Sequence, residues 1–212
     1  HLILVPKNAD VDFINNIIMS LFLGNATKYL SANSIDKTFE GYKYNYETFY
    51  SIEFLNNLKM SGISLYKLLL KIGTPIMLLH NLSLAESLCN GLCLICYAFT
   101  HHVIEAELIT KKYTGTRVFL FCIVFTSVAN LSFILKCHQF LVHPVFAITI
   151  NKAQGQTLNS IGVYLPTPVF SHGQLYIACS RATFRTNLKI MLTDHYTEIG
   201  HTQNTVYPKV LL

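Results

Sequence analysis

The chain has 212 residues, a formal net charge of +5 and a charged fraction of only 13%. This length allows one fair-sized domain or two small ones, and the mild basic excess suits a phosphate-backbone partner without singling one out. The six cysteines form no spaced disulfide framework and no cleavable signal peptide is recognised, so we expect an intracellular, reducing environment. Because the sequence starts at His1 rather than at methionine, we interpret it as a fragment.

A strand, a turn and a helix are predicted at the start of the chain. Residues 2–5 are all apolar, as in a buried strand, and residues 6–10 contain proline and polar side chains typical of a turn. Apolar residues then recur at helical spacing between positions 11 and 21, with Asn8 or Asp10 as the helix cap and Gly24 as the terminator. Together these segments predict one α/β unit.

The next segments carry weaker patterns. Residues 29–35 predict a short strand, and residues 47–58 have a loosely helical pattern. Tyrosines at positions 42, 44, 46 and 50 could stack on nucleic-acid bases, but without interleaved lysine or arginine we favour half-buried aromatic side chains. The dipeptide Asn90-Gly91 is a strong hairpin signal.

Three cysteines and two histidines invite a zinc interpretation. These are Cys89, Cys93, Cys96, His101 and His102. Thiolates and imidazoles are the preferred zinc ligands, but the spacing lacks a second well-spaced pair and the intervening residues are apolar, as in a buried strand. We therefore predict core packing for these cysteines and no metal ligand.

Residues 118–135 contain no charge, and this length is near the lower limit for a transmembrane helix. The run begins with β-branched and aromatic residues and has polar residues in its middle, which favours two buried strands joined at residues 126–130. We expect no membrane partner, and a membrane protein stays the lower alternative.

The most informative stretch is Phe-Ala-Ile-Thr-Ile-Asn-Lys-Ala-Gln-Gly-Gln-Thr at residues 146–157. It predicts a strand that runs into a polar loop, where Gly155 lets the backbone approach a phosphate and Lys152 supplies positive charge. A turn that needs Gly155 only for its backbone angles is the alternative. Some twenty residues later, Leu-Tyr-Ile-Ala-Cys-Ser-Arg-Ala-Thr delivers Arg181, one of three arginines in the chain.

These stretches carry a family resemblance. Three segments resemble motifs V and VI of the Pif-type superfamily 1B DNA helicases. They are residues 149–158, residues 162–181 (Gly-Val-Tyr-Leu-Pro-Thr-Pro-Val-Phe-Ser-His-Gly-Gln-Leu-Tyr-Ile-Ala-Cys-Ser-Arg) and Leu-Lys-Ile at 188–190. The similarity is greatest to the eukaryotic, Helitron-related branch, and residues 4–15 resemble the opening of that family's second lobe. Residues 65–91 resemble the entry into an inserted barrel, although His80 stands where the family usually has arginine.

The resemblance implies an α/β fold: the second RecA-like lobe of a P-loop NTPase helicase with an inserted small β-barrel of the Src-homology-3-like type. Residues 1–64 would form the first part of the lobe, residues 65–140 the barrel and residues 141–212 the remainder of the lobe. The sequence contains no Gly-x-x-x-x-Gly-Lys-Ser/Thr loop and no acidic Walker B pair. We therefore expect the chain alone to be inactive, with the other half of the ATP site in an N-terminal lobe.

The resemblance also implies a function, the C-terminal part of an ATP-dependent 5′–3′ DNA helicase in repair, recombination or telomere maintenance. The location would be the nucleus, or else the mitochondrion. Arg181 would be the catalytic arginine finger; Gln154, Gly155 and Gln156 would line the nucleotide, and Thr149, Asn151 and Lys152 would contact DNA. The implied cofactors are ATP and Mg²⁺, the latter held mainly by the N-terminal lobe, and the partners are single-stranded DNA and that lobe. A catalytically inactive, transposon-derived remnant with weak nucleic-acid binding is the alternative.

Overall fold

The computed structural model of the chain describes residues 2–36, 50–58, 66–83, 88–109, 114–127, 133–155, 158–193 and 201–207. The chain divides into two compact units. The first consists of His1–Phe22 and Val145–Leu212, and the second of Leu23–Pro144.

The secondary-structure elements follow one another in this order. The first half contains β1 (Leu2–Val5), α1 (Asn8–Leu21), β2 (Thr27–Leu30), β3 (Ala32–Ile35), α2 (Ile52–Asn57), β4 (Lys67–Leu70), β5 (Pro75–Leu78), β6 (Cys93–Phe99) and β7 (Val103–Leu108). The second half contains β8 (Arg117–Phe121), β9 (Ile123–Ser127), β10 (Leu135–Gln139), β11 (Val142–Pro144), β12 (Ala147–Thr149), a 3₁₀ helix (Ile150–Ala153), β13 (Ile161–Leu165), α3 (Gln174–Ser180), a second 3₁₀ helix (Arg185–Asn187) and β14 (Leu188–Leu192).

The first unit is built on a four-stranded parallel sheet with the strand order β12-β1-β13-β14. Leu4 of the central strand β1 lies beside Ile148 on one side and Val163 on the other, and Val163 lies beside Ile190. Parallel strands buried on both faces are rich in such apolar residues. Because all four strands run the same way, their carboxyl ends share one edge of the sheet. The α/β class and the strand at residues 2–5 are confirmed.

Helix α1 packs on this sheet through Ile14, which shares a buried cluster with Val5 and Ala147. The predicted helix caps were wrong: the helix begins at Asn8 itself, and the cap position is taken by Lys7 with an extended backbone (φ −120°, ψ 151°). Asn8 and Asp10 therefore lie inside the first turn. The helix ends at Leu21, ahead of Gly24, because the backbone turns extended at Phe22.

In its described residues, the second unit contains three antiparallel sheets. The largest has the order β11-β5-β6-β7-β8, and the smaller ones have the orders β3-β10-β9 and β2-β4. The main hydrophobic core of the second unit includes four fully buried side chains, those of Leu70, Ile76, Leu94 and Ile104. The Src-homology-3-like type of barrel stays a prediction. The Asn90-Gly91 turn is present, since the N–H of Leu92 donates to the carbonyl of Cys89 over 3.1 Å and Gly91 has a φ of +83°.

Two weak patterns of the early chain are partly corrected. The strand predicted at residues 29–35 is two strands, β2 and β3, separated by Ser31, whose hydroxyl lies 3.0 Å from the sulfur of Cys137. The helical pattern at residues 47–58 contains α2. Tyr50 packs against Phe54 and Phe133, at centroid distances of 5.3 and 4.8 Å, which agrees with a half-buried aromatic side chain. The other three tyrosines of the set, at 42, 44 and 46, lie outside the described residues.

The uncharged run at residues 118–135 forms strands. It contributes to β8, β9 and the start of β10. The predicted joint was misplaced where it is described, because residues 126 and 127 belong to β9 and the break between β8 and β9 lies at Cys122; residues 128–130 lie outside the described residues. Burial was overestimated, because alternate side chains of β8 point outward: Leu120 is buried, whereas Phe119 and Phe121 are 57% and 59% exposed. Across the part of the chain that the structure describes, we find no helix with the length and apolar character needed to cross a membrane.

The borders of the two compact units lie after Phe22 and after Pro144. Residues 23–36 and 50–58, assigned from the sequence to the lobe, lie in the second unit. One cause is the pairing of β2 with β4, in which Thr27 lies beside Leu70. The assignment of residues 1–64, 65–140 and 141–212 to lobe, barrel and lobe stays a prediction.

Candidate functional site

Strand β12 runs directly into a 3₁₀ helix at the carboxyl edge of the parallel sheet. A 3₁₀ helix has three residues per turn, so side chains three positions apart share a face. Ile150 and Ala153 are completely buried, and the residues between them, Asn151 and Lys152, are exposed. Thr149, the last residue of β12, is half-buried. The predicted strand and polar loop are therefore present, with Asn151 and Lys152 turned to solvent.

The loop continues into a tight turn at Gln154 and Gly155, both of which are exposed. The N–H of Gln154 donates to the carbonyl of Asn151 over 3.2 Å. Gly155 has a φ of +80°, a left-handed conformation that favours glycine, and a Cβ added there would meet nothing within 4 Å. The turn geometry alone thus accounts for this glycine. Gln156, the third residue predicted to line a nucleotide, lies outside the described residues.

Arg181 directly follows helix α3. Its Nε donates to the carbonyl of Ile177 over 3.2 Å, and its Nη2 donates to the hydroxyl of Ser180 over 3.1 Å. Arg181 is half-buried, and its side chain is held against the last turn of its own helix, where the partial negative charge of the carbonyl end favours a cation. Arg185, by contrast, begins the following 3₁₀ helix and is exposed.

The loop after β12 and the end of α3 are joined to each other. The N–H of Leu158 donates to the carbonyl of Arg181 over 3.0 Å, and Leu158 forms a parallel bridge with Ala182. The hydroxyl of Thr183 donates to the carbonyl of Leu158 over 3.3 Å. Helix α3 also packs against the 3₁₀ helix that carries Lys152. The structure therefore brings together the two segments that the sequence singled out separately.

Sequence reasoning missed Asn15, a buried side chain that fastens helix α1 to strand β12. Its Oδ1 accepts from the N–H groups of Phe146 and Ala147, at 3.0 and 2.8 Å, and its Nδ2 donates to the carbonyl of Ala147 over 3.3 Å. A signal was present in the sequence: positions 11, 14, 15 and 18 form one helical face, and Asn15 is the polar member of that otherwise apolar set.

A second missed residue is Gln174, the first residue of α3. Its side chain is 1% exposed. Its Oε1 accepts from the N–H of Phe170 over 3.1 Å, and its Nε2 donates to the carbonyl of Pro6 over 3.5 Å. The side chain connects the start of α3 with the carboxyl end of β1, and no local sequence pattern indicates this.

A pocket of about 330 Å³ lies at the opposite edge of the same sheet. Its lining includes Ile3, Ile18, Phe146, Gly162 and Lys189, which lie on or near the amino-terminal halves of the strands. Ligands of parallel sheets bind beyond the carboxyl ends of the strands. This largely apolar pocket contains none of the predicted site residues, and we assign it no part in the candidate site.

The cysteines considered for zinc lie in the second unit. Burial raises the pKa of the Cys96 thiol to about 12 and also raises the pKa of Cys93, which disfavours the thiolate form that binds metal. Within the described ranges we find no group of three or more histidine, cysteine or carboxylate side chains that could hold a metal ion.

Comparisons with known proteins find similarity to Pif1 helicases. Residues 53–99 match the family described as DNA helicase Pif1, 2B domain. The ATP-dependent DNA helicase PIF1 of Homo sapiens is 31% identical over 140 residues, which cover 59% of this chain and 19% of the human protein. The enzyme of the same name from Emericella nidulans is 41% identical over 66 residues, covering 31% of this chain and 8% of that protein.

Solved structures of Pif1 helicases share the fold. The Pif1 helicase from Candida albicans has a TM-score of 0.66 at 21% identity and matches 90% of this chain and 45% of its own. Bacteroides Pif1 bound to single-stranded DNA has a TM-score of 0.63 at 23% identity and matches 90% of this chain and 40% of its own. This chain thus spans less than half of each of these proteins. The family model, the curated relatives and the solved structures to which this chain is similar are thus all of Pif1-type helicases.

Proposed function

We propose that this chain is the second-lobe part of an ATP-dependent DNA helicase, and that it works together with a nucleotide-binding lobe outside these residues. The observation that carries the proposal is the junction of Leu158 with Arg181, which joins the segment after the 3₁₀ helix to the arginine after α3. The curated relatives with matching sequence are named ATP-dependent DNA helicases.

Arg181 is the residue that we assign to the phosphate end of the nucleotide. ATP supplies the phosphoryl group when it is bound, and negative charge develops on the oxygens of that group during transfer. A guanidinium presents a planar set of donors that suits such oxygens, and it stays protonated at all relevant pH values. To serve this role, Arg181 would exchange its present contacts with Ile177 and Ser180 for contacts with the nucleotide.

The nearby turn complements this cation. Gln154 and Gly155 are exposed on the connection from the 3₁₀ helix to Leu158, and we assign them, with Gln156, to the nucleotide side of the site. The guanidinium of Arg181 and the side-chain amides of Gln154 and Gln156 are hydrogen-bond donors that suit the charged outer phosphates. We assign the remaining phosphate contacts and Mg²⁺ to the other lobe. One structural neighbour, a Bacteroides Pif1, is described in complex with ADP-AlF3 and single-stranded DNA.

Single-stranded DNA is the second ligand that we propose. Lys152 and Asn151 are exposed on the 3₁₀ helix, and Thr149 precedes them on β12. An ammonium group can neutralise a backbone phosphate, and the amide and hydroxyl can donate hydrogen bonds to phosphate oxygens without reading base sequence. Translocation from 5′ to 3′, a role in repair, recombination or telomere maintenance, and a nuclear or mitochondrial location are extensions of this proposal from the family resemblance.

The decisive experiment joins this chain to an intact first lobe from a close relative and measures DNA-stimulated ATP hydrolysis. We expect Arg181→Ala to lower turnover by roughly 10³-fold or more, as for a catalytic arginine finger. The affinity for ATP should change much less, because the loss falls on the transition state. Arg185→Ala is the matched control and should leave turnover nearly unchanged. Equal effects of the two substitutions, or ATP hydrolysis by this chain alone, would contradict the assignment.

An inactive, transposon-derived remnant is the second candidate, and His80 favours it. The family usually has an arginine at this position, whereas the His80 ring packs on Phe125 at a centroid distance of 4.5 Å. Its Nε2 is buried and has no hydrogen-bond partner among the described residues. This position therefore offers a packed ring in place of an exposed cation. A joined protein without any DNA-stimulated hydrolysis would support the remnant.

A further inference from the structure

We infer that Gln174 is a positioning residue for Arg181, because its buried amide fixes the start of the short helix that ends at this arginine. The inference rests on the proposed function, because that function assigns Arg181 to the phosphate end of the nucleotide. The placement of the helix itself can be measured independently of any activity.

The side chain of Gln174 connects three segments. It belongs to the first turn of α3, accepts from the N–H of Phe170 in the preceding connection, and donates to the carbonyl of Pro6 after β1. The contact with Phe170 is the shorter, at 3.1 Å against 3.5 Å. Removing the acceptor leaves the Phe170 N–H without this partner unless the connection moves, so the amide holds the connection in one arrangement.

The same connection is also held from its other side. The hydroxyl of Tyr207 donates to the carbonyl of Phe170 over 3.3 Å, and the hydroxyl of Thr205 donates to the carbonyl of Val169 over 2.7 Å. The N–H of Tyr207 donates to Nδ1 of His172 over 3.1 Å. Because the peptide groups on both sides of Phe170 are bonded, the chain enters α3 from a fixed position.

The length of α3 makes this fixed start matter at Arg181. Seven residues at 1.5 Å per residue give a helix about 10 Å long, so a tilt of about 10° at its start moves its end by about 2 Å. Displacements of about 1 Å in a catalytic group can cost about 10²-fold in rate. The far end is held by Leu158 and the near end by Gln174, so both ends of the helix are defined.

The test uses two substitutions in the joined helicase. Gln174→Met keeps the volume and removes both hydrogen bonds, whereas Gln174→Glu keeps an acceptor for the Phe170 N–H and removes the donor to Pro6. We expect Gln174→Met to lower kcat about 10-fold while the KM for ATP stays within about 2-fold. Gln174→Glu should retain clearly more of kcat than Gln174→Met. Unchanged kcat in Gln174→Met, or equal loss in the two variants, would overturn the inference.

The matched control is Gln139→Met. Gln139 is also 1% exposed but belongs to β10 in the other compact unit, so it undergoes the same chemical change at the same burial. We expect this variant to keep its kcat. A similar fall in kcat for Gln139→Met and Gln174→Met would show a general effect of losing a buried amide, and would overturn the positioning role.

A second measurement uses this chain alone. Cys179 lies on α3, two residues before Arg181, and is half-buried. The rate at which iodoacetamide alkylates Cys179 is measured by mass spectrometry. Gln174→Met should raise this rate several-fold, and Gln139→Met should not. If the joined wild-type protein is inactive, the proposed function fails and this rate still decides whether Gln174 positions the helix. An unchanged Cys179 rate overturns the inference whatever the activity.

Discussion

The backbone carbonyl of Arg181 accepts a hydrogen bond of 3.0 Å from the N–H of Leu158. The two residues are separated by β13 and α3 in the chain, and the bond closes the loop after β12 onto the end of α3. Because the connection is made by main-chain groups, it survives side-chain substitution at either residue. A displacement of one segment would therefore move the other, as the proposed coupling of nucleotide and DNA contacts requires.

Asn15→Ala should lower the free energy of unfolding by about 3 kcal/mol. The Asn15 side chain is 4% exposed and makes three hydrogen bonds with Phe146 and Ala147, so its loss leaves buried backbone groups without partners. Urea denaturation of the chain measures the change. Asn16→Ala, at the exposed neighbouring position of the same helix, is the control and should stay within about 0.5 kcal/mol. Equal destabilisation by the two variants would contradict the role given to Asn15.

What the sequence predicted correctly was mostly local. The strand at residues 2–5, the helix after it and the strand that enters the 150–155 loop all follow from periodicity and turn residues within a few positions. The helix cap was wrong because Asn8 is a good cap by residue type, yet the backbone is already helical there. Cap preference alone does not decide between adjacent positions.

What could not be predicted depends on partners far away in the chain. Asn15 bonds to a residue 132 positions later, and Gln174 to one 168 positions earlier. A polar residue on an apolar helical face indicates a buried hydrogen bond but not its partner. The border of the first compact unit also depends on a distant partner, because β2 pairs with β4, some forty residues later in the chain. The roles of Arg181 and of the loop residues stay predictions, since they concern proposed ligands and not contacts within the chain.

Gly173→Ala should destabilise the chain, because Gly173 precedes α3 with a φ of +73°. A left-handed backbone costs a residue with a Cβ about 1–2 kcal/mol. For a chain of this size that lowers Tm by about 4 °C, measurable by thermal denaturation followed by circular dichroism. Gly162→Ala is the control, since its added Cβ would lie 3.7 Å from Cγ1 of Ile3, an ordinary contact. A Tm loss in Gly162→Ala as large as in Gly173→Ala would refute this explanation.

Cys96 should make the second unit sensitive to alkaline pH. Burial raises the pKa of its thiol from 9.0 to about 12, so the folded chain holds this proton more tightly than the unfolded chain. The resulting stability is fully present below pH 9 and is lost as the pH rises towards 12, by about 1.4 kcal/mol per pH unit. The stability difference between the wild type and Cys96→Ala should therefore shrink between pH 9 and pH 11 in urea titrations. A constant difference would show that this thiol does not titrate as described.

Lys152 should contribute to DNA binding, whereas Lys189 should not. Both lysines are exposed on the first unit, but Lys152 lies on the 3₁₀ helix at the carboxyl edge and Lys189 lines the pocket at the opposite edge. We expect the chain alone to bind an oligothymidine weakly, with affinity that falls as salt rises. Fluorescence anisotropy across a salt series should show a slope smaller by about 0.7 in Lys152→Gln, the value for one lost phosphate contact on a single strand, and an unchanged slope in Lys189→Gln. Equal slopes in the two variants would place the DNA contact elsewhere, because the net charge of the two proteins is the same and only the position of the missing lysine differs.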